Sequence, residues 1–123
     1  MSINAPSPHL SQWVEATPLV FISGQLGFDS SGHIVSADVA GQSIQALRNL
    51  ETIVAKLGLS LQNIVKTTVW LRRETDFAAF NESYARYFGE HRPARSTVIS
   101  GLAHPDALVE IEAVAHRPSN TIY

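Results

Sequence analysis

The segment Leu108-Val109-Glu110-Ile111-Glu112-Ala113-Val114 sets two carboxylates two residues apart. Strand geometry alternates side chains, so Glu110, Glu112 and Val114 share one face while Val109, Ile111 and Ala113 share the other. Carboxylates between apolar neighbours on a central strand are costly to bury. One can serve as an ion-pair partner at the sheet surface; the other must meet a cation or take a shifted pKa. Arg95, in Pro93-Ala94-Arg95-Ser96-Thr97-Val98, supplies a cation at the rim of a strand. Its planar fork binds carboxylates bidentately, and the spacing leaves open whether the acid is a protein glutamate or a substrate.

Other chemistries lack their residues. His9, His33, His91, His104 and His116 are scattered, and no pair has the i, i+4 or short-loop spacing of a zinc site. With no cysteine there is no disulfide, thiolate metal site, iron–sulfur cluster or cysteine nucleophile. No GxSxG elbow, GxGxxG turn or GxxxxGK[ST] loop occurs. The net charge is −2, with no basic stripe for a phosphate backbone, which argues against a nucleic-acid partner.

The elements that must position these groups follow from periodicity. Leu19-Val20-Phe21-Ile22-Ser23-Gly24 reads as a strand, and Asp29-Ser30-Ser31-Gly32 as a turn into a second short strand, His33-Ile34-Val35. Ser36 or Asp38 caps a helix whose buried face is Ala40, Ile44, Leu47, Leu50, Val54 and Leu57, with Gly58 at its end. Ile64–Leu71 is a strand with Val65, Thr67, Val69 and Leu71 on one face and Lys66, Thr68 and Trp70 on the other. Thr75-Asp76 caps a second helix, whose stripe Phe77, Phe80, Tyr84 and Phe88 packs it onto a sheet rather than forming a cofactor box. Arg95–Ser100 and Leu108–His116 complete the strands, joined by a loop with Gly101, His104 and Pro105.

At 123 residues, 45% apolar and 16% charged, the chain suits one domain, residues 1–123, with residues 1–12 as a polar, proline-punctuated arm. The start shows neither a charged n-region nor an apolar h-region, and no apolar run is long enough to span a bilayer, so a soluble cytoplasmic protein is the expectation. The order β-β-α-β-α-β-β predicts an α+β fold in which two crossover helices cover one face of a mixed sheet. Because Val, Trp and Ile also occur on the other face, self-association is expected to cover it.

Several ordered segments resemble the Rid (reactive intermediate deaminase, YjgF-type) family. They are Ser23-Gly24-Gln25, Ile64-Val65-Lys66-Thr67-Thr68-Val69, Phe80-Asn81-Glu82-Ser83-Tyr84, Pro93-Ala94-Arg95-Ser96 and Glu110-Ile111-Glu112-Ala113-Val114-Ala115, spanning Trp13 to Arg117. The resemblance implies a chorismate-mutase-like α+β fold, a homotrimer with ligand clefts between subunits, and no cofactor or metal. It also implies hydrolysis of enamine/imine acids such as 2-aminoacrylate, released by pyridoxal-phosphate dehydratases, to 2-keto acid and ammonia. Carried over by motif, Arg95 holds the substrate carboxylate and Glu110 orients the attacking water. Ser23, Gly24, Asn81, Thr97 and Trp13 line the cleft.

The chain departs from the pattern at three places. Trp13 stands where the family has a tyrosine, Thr97 where cysteine is common, and only His91-Arg92 separates Glu90 from Pro93. An indole cannot do a phenol's proton chemistry, and the shortened loop alters the pocket border. These changes suit a deaminase for a larger imino acid. A non-catalytic, carboxylate-binding regulatory trimer is the alternative from another class. A ribonuclease or translation inhibitor would need a histidine pair or basic groove that the sequence does not supply.

Overall fold

Strand β1 (Trp13–Ala16) turns directly into β2 (Leu19–Gln25), and the two pair antiparallel. The structure, a computed structural model, describes residues 8–119. Beyond the hairpin come α1 (Val39–Lys56), β3 (Ile64–Leu71), α2 (Phe77–Phe88), β4 (Ala94–Ile99) and β5 (Val109–His116). The sheet order is β1-β2-β5-β3-β4: the last strand in sequence is inserted at the centre, antiparallel to β2 and β3, while β3 and β4 run parallel. The fold is therefore α+β with a mixed five-stranded sheet.

The order of elements matches the sequence reading, but the first hairpin does not. Residues 33–35 make only an isolated bridge, Phe28 to Ile34, and Asp29 closes a loop by accepting from the Ser31 and His33 amides. The strand beside β2 is Trp13–Ala16 instead. Part of the expected arm also follows it, since the Ser23 amide donates to Gln12 O and the Ser23 hydroxyl to Ser11 O. The first seven residues of that arm lie outside the described residues.

Asp38, not Ser36, caps α1, its carboxylate accepting from the Gly41 amide at 2.6 Å. Such a cap contributes about 1 kcal/mol. Gly58 ends the helix at φ +73°, a left-handed turn that costs glycine nothing. The buried face of α1 is Val39, Gln42, Ser43, Ala46, Leu47, Leu50, Ile53 and Val54, so Ala40 and Ile44 are only half-buried. Gln42 and Asn49 face inward to fasten loops, whereas the buried Ser43 hydroxyl has no hydrogen-bond partner among the described residues. Gln42 donates to Ser36 O and Asp106 O and accepts from the Leu108 amide; Asn49 donates to Leu26 O and Phe28 O.

Both helices pack on the same face of the sheet, in one cluster with Val20, Ile22, Val69, Leu71, Val109, Ile111 and Ala113. The alternation on β5 falls as expected, with Glu110 and Glu112 turned away from this core. On β3 a register shift between Ile64 and Lys66 buries Ile64 and leaves Val65 exposed, against expectation. In α2, Phe80, Tyr84 and Phe88 are buried while Phe77 is 43% exposed, and Asp76 makes no side-chain cap, its carboxylate being engaged by Arg73. Among the described residues the opposite face of the sheet carries no helix. Val14, Phe21 and Val98 stand on it at 56%, 47% and 42% exposure.

Candidate functional site

Register decides which site residues meet. Arg95 on β4 pairs with Thr67 on β3, and Thr67 with Ala113 on β5, so Arg95 and Thr97 face the helices. Glu110 pairs with Trp70, and Trp70 with Val98, on the uncovered face. Arg95 and Glu110 therefore stand on opposite faces of one sheet. Arg95 is not the cation for either glutamate. Among the described residues the ion pairs are Arg73–Asp76, Arg86–Glu82 and Arg117–Glu15.

Arg95 is held from α2. Its Nη2 donates to Asn81 Oδ1 at 2.7 Å, and its Cζ lies 5.1 Å from the Phe80 ring centre and 4.9 Å from that of Tyr84. Aromatic faces attract a guanidinium electrostatically and shield that side from water. One nitrogen is engaged and one flank covered, leaving the rest of the fork for an incoming carboxylate. A cavity of about 260 Å³ opens beside it, lined by Tyr84, Phe88, His91, Pro93 and Arg95 among others. Further along β4, a groove of about 550 Å³ runs between Thr97 and Ile99 on the strand and Phe77 at the start of α2 with Glu74 and Thr75 in the turn before it.

Glu110 is half-buried on the uncovered face and has no hydrogen-bond or ion-pair partner among the described residues. Burial pushes its pKa above the ordinary carboxylate value, and the Glu112 charge adds to the effect. Glu112 is exposed and has no ion-pair partner among the described residues, so there the expectation that one glutamate is an ion-pair partner does not hold. Gly24 lies against the Glu110 carboxylate, where β2 carries one extra residue between Ile22 and Gln25 relative to β5. Ser23 adjoins it, its hydroxyl given to Ser11 O.

The expected cleft residues thus divide into three groups. Arg95, Asn81 and Thr97 gather between β4 and α2; Glu110, Gly24 and Ser23 gather where β2 meets β5. Trp13 joins neither: it pairs with Ile22 on the helix face and packs half-buried against the core, at the sheet edge opposite Arg95. The aromatic stripe predicts packing alone for Phe80 and Tyr84, yet both rings also lie against the Arg95 guanidinium. Their i, i+4 spacing around Asn81 was the available signal.

Among the described residues no group of three or more His, Asp or Glu could hold a metal, and no helix is long and apolar enough to cross a membrane. A guanidinium fork can bind an acid and a carboxyl with a raised pKa can move a proton from water, but within one chain the sheet separates the two.

Comparison with known proteins agrees with these elements. The family model described as Endoribonuclease L-PSP matches residues 2–117. A RutC family protein of Pyrococcus horikoshii is 43% identical over 117 residues, 93% of each chain. The 2-iminobutanoate/2-iminopropanoate deaminase of Salmonella typhimurium is 40% identical over 120 residues, again 93% of each. Among solved structures, Escherichia coli TdcF with bound serine superposes at a TM-score of 0.83 with 39% identity, covering 93% of this chain and 91% of that one. The match over nearly the whole chain places it in the Endoribonuclease L-PSP family, the YjgF-type Rid family that its motifs resemble.

Proposed function

We propose that the chain is a cofactor-free deaminase that hydrolyses reactive 2-imino acids to 2-keto acids and ammonia. We place its working site between two copies of a homotrimer of chorismate-mutase-like arrangement, with Arg95 from one copy and Glu110 from the next. The observation that carries this reading is the opposite facing of Arg95 and Glu110. One chain holds both halves of a carboxylate-and-water site and cannot join them, whereas a second copy laid on the uncovered sheet face can. The exposed Val14, Phe21 and Val98 give that face a reason to be covered. The relatives named as deaminases at about 40% identity support the reaction class, and TdcF with its bound serine supports a small amino-acid-like ligand.

The chemistry needs little from the protein. The enamine tautomer takes a proton from water at C3 to give the iminium, and Arg95 fixes the carboxylate. Water adds to C2 of the C=N bond while Glu110 accepts its proton, giving a neutral carbinolamine. Glu110 hands that proton to the amine nitrogen and takes the one on the C2 hydroxyl as the C–N bond breaks, so the C2–O bond becomes a carbonyl and ammonia leaves. Imine hydrolysis proceeds even in water, so positioning with modest acid–base help suffices.

A second reading, a carboxylate-binding regulatory trimer, draws on the completeness of the Arg95–Asn81 anchor within one copy. The ribonuclease activity in the family model's description finds less support, because His91 is engaged with Ile64 O and His104 with the Asp106 amide. Ammonia release from freshly generated 2-aminoacrylate separates the readings, since a binder gives no acceleration. Light scattering tests the assembly; a stable 13.4 kDa monomer at micromolar concentration would overturn the two-copy site.

A further inference from the structure

Beneath Arg95 the core contains a polar pair that packing alone does not require. Thr67 Oγ1 and the Tyr84 hydroxyl lie 2.7 Å apart, Thr67 fully buried and Tyr84 nearly so. Valine and phenylalanine would fill the same space without desolvating two hydroxyls. Each member also touches Arg95 by a separate route: Thr67 is its pairing partner across β3 and β4, and the Tyr84 ring lies under its guanidinium. Backbone pairing, hydroxyl bond and ring contact close a loop through three elements. Burial holds the phenol's pKa above its ordinary value, so Tyr84 stays neutral and can donate within this bond.

We infer that the Thr67–Tyr84 hydroxyl pair is a positioning device for Arg95, fixing the ring on which the guanidinium lies and hence the plane in which its fork meets a substrate carboxylate. The inference rests on Arg95 as the carboxylate anchor proposed above. Without the hydroxyl bond, the ring is restrained by apolar contacts alone, which are non-directional. The fork then samples several planes, and bidentate binding loses its pre-organisation. Phe80 and Asn81 still hold the guanidinium near its place, so binding weakens rather than vanishes.

The test uses Tyr84→Phe, Thr67→Val, the double variant and Thr67→Ser. Each of the first two should raise KM for the imino acid about 5- to 10-fold with kcat changed less than about twofold, because the carboxylate is bound alike in ground and transition states. The double variant should raise KM no further than either single, both removing the same bond. Its thermal stability should recover, since no hydroxyl is left unpaired. Thr67→Ser keeps a hydroxyl and should restore most of the affinity.

Rotation about the Arg95 Nε–Cζ bond, read by nitrogen-15 exchange NMR, should be slow in the wild type and faster in Tyr84→Phe. This second readout does not depend on turnover. A KM that recovers together with stability in the double variant would overturn the inference, as would unchanged rotation. Should the wild type release no ammonia, the deaminase reading falls, while the rotation measurement still decides this one.

Discussion

A methyl group at Gly24 would stand 2.0 Å from Glu110 Oε2 and 2.9 Å from Cδ, so the carboxylate occupies space that only glycine leaves on β2. The atoms in the way are the end of a flexible side chain, not backbone. Gly24→Ala should therefore leave the fold nearly as stable, within about 1 kcal/mol, yet swing the carboxylate aside. Turnover should fall at least about 10-fold, a misplacement effect. A melting curve beside an ammonia-release assay checks both parts.

Glu110 and Glu112 share a strand face but not an environment. Glu110→Gln keeps the shape and a hydrogen-bonding group but loses the proposed base, so turnover should drop about 100-fold while keto-acid affinity, proposed for Arg95, survives. Glu112 is exposed and has no ion-pair partner among the described residues, so Glu112→Gln should leave stability and turnover near wild type at neutral pH. Equal losses in the two variants would refute the assignment of the base.

The pH response follows from the raised pKa of Glu110. Folding favours its protonated form, so its contribution to stability is fully present below the ordinary value of 4.5 and is lost as pH rises through the raised folded value. Denaturation of the wild type measured beside Glu110→Gln should show the wild type losing stability relative to the variant as pH rises above 4.5. The acidic limb of the rate profile should have its midpoint above 4.5. Glu112→Gln removes a neighbouring charge that raises the pKa, and should move that limb downward.

Arg95→Ala should abolish acid binding and turnover. Since the guanidinium rests on two rings and bonds Asn81, the loss should also cost about 1–2 kcal/mol of stability, more than an exposed rim arginine would. Arg95→Lys should restore little binding, because an ammonium offers no planar fork. Calorimetric titration with a 2-keto acid and a urea melt give the two numbers.

Most elements were legible because their signals are local. The strands β3 and β5, the end of α1 at Gly58 and the aromatic stripe of α2 each rest on residues a few positions apart. Misreadings arose where distant partners decide. Trp13–Ala16 is too short to announce itself, and becomes a strand because β2 lies beside it. Gln42 and Ser43 replace Ala40 and Ile44 in the buried face of α1, with Gln42 serving loop backbones many residues away. Within the site, the parity of β5 was readable, and so was that of β4. Their relative facing was not, because it passes through the pairing of both strands with β3, which no local pattern encodes.

The separation of Arg95 and Glu110 by the thickness of a sheet has a genetic reading. In a ring of copies, each proposed cleft takes its arginine and its glutamate from different chains. A chain with Arg95→Ala still donates an intact Glu110, and one with Glu110→Gln an intact Arg95. Co-expressed in equal dose and mixed at random, two dead alleles should revive about a quarter of the clefts, those in which both intact halves happen to meet. Neither allele alone recovers anything. Conversely, one defective allele beside a healthy one should silence about half of the clefts, whichever of the two residues it lacks.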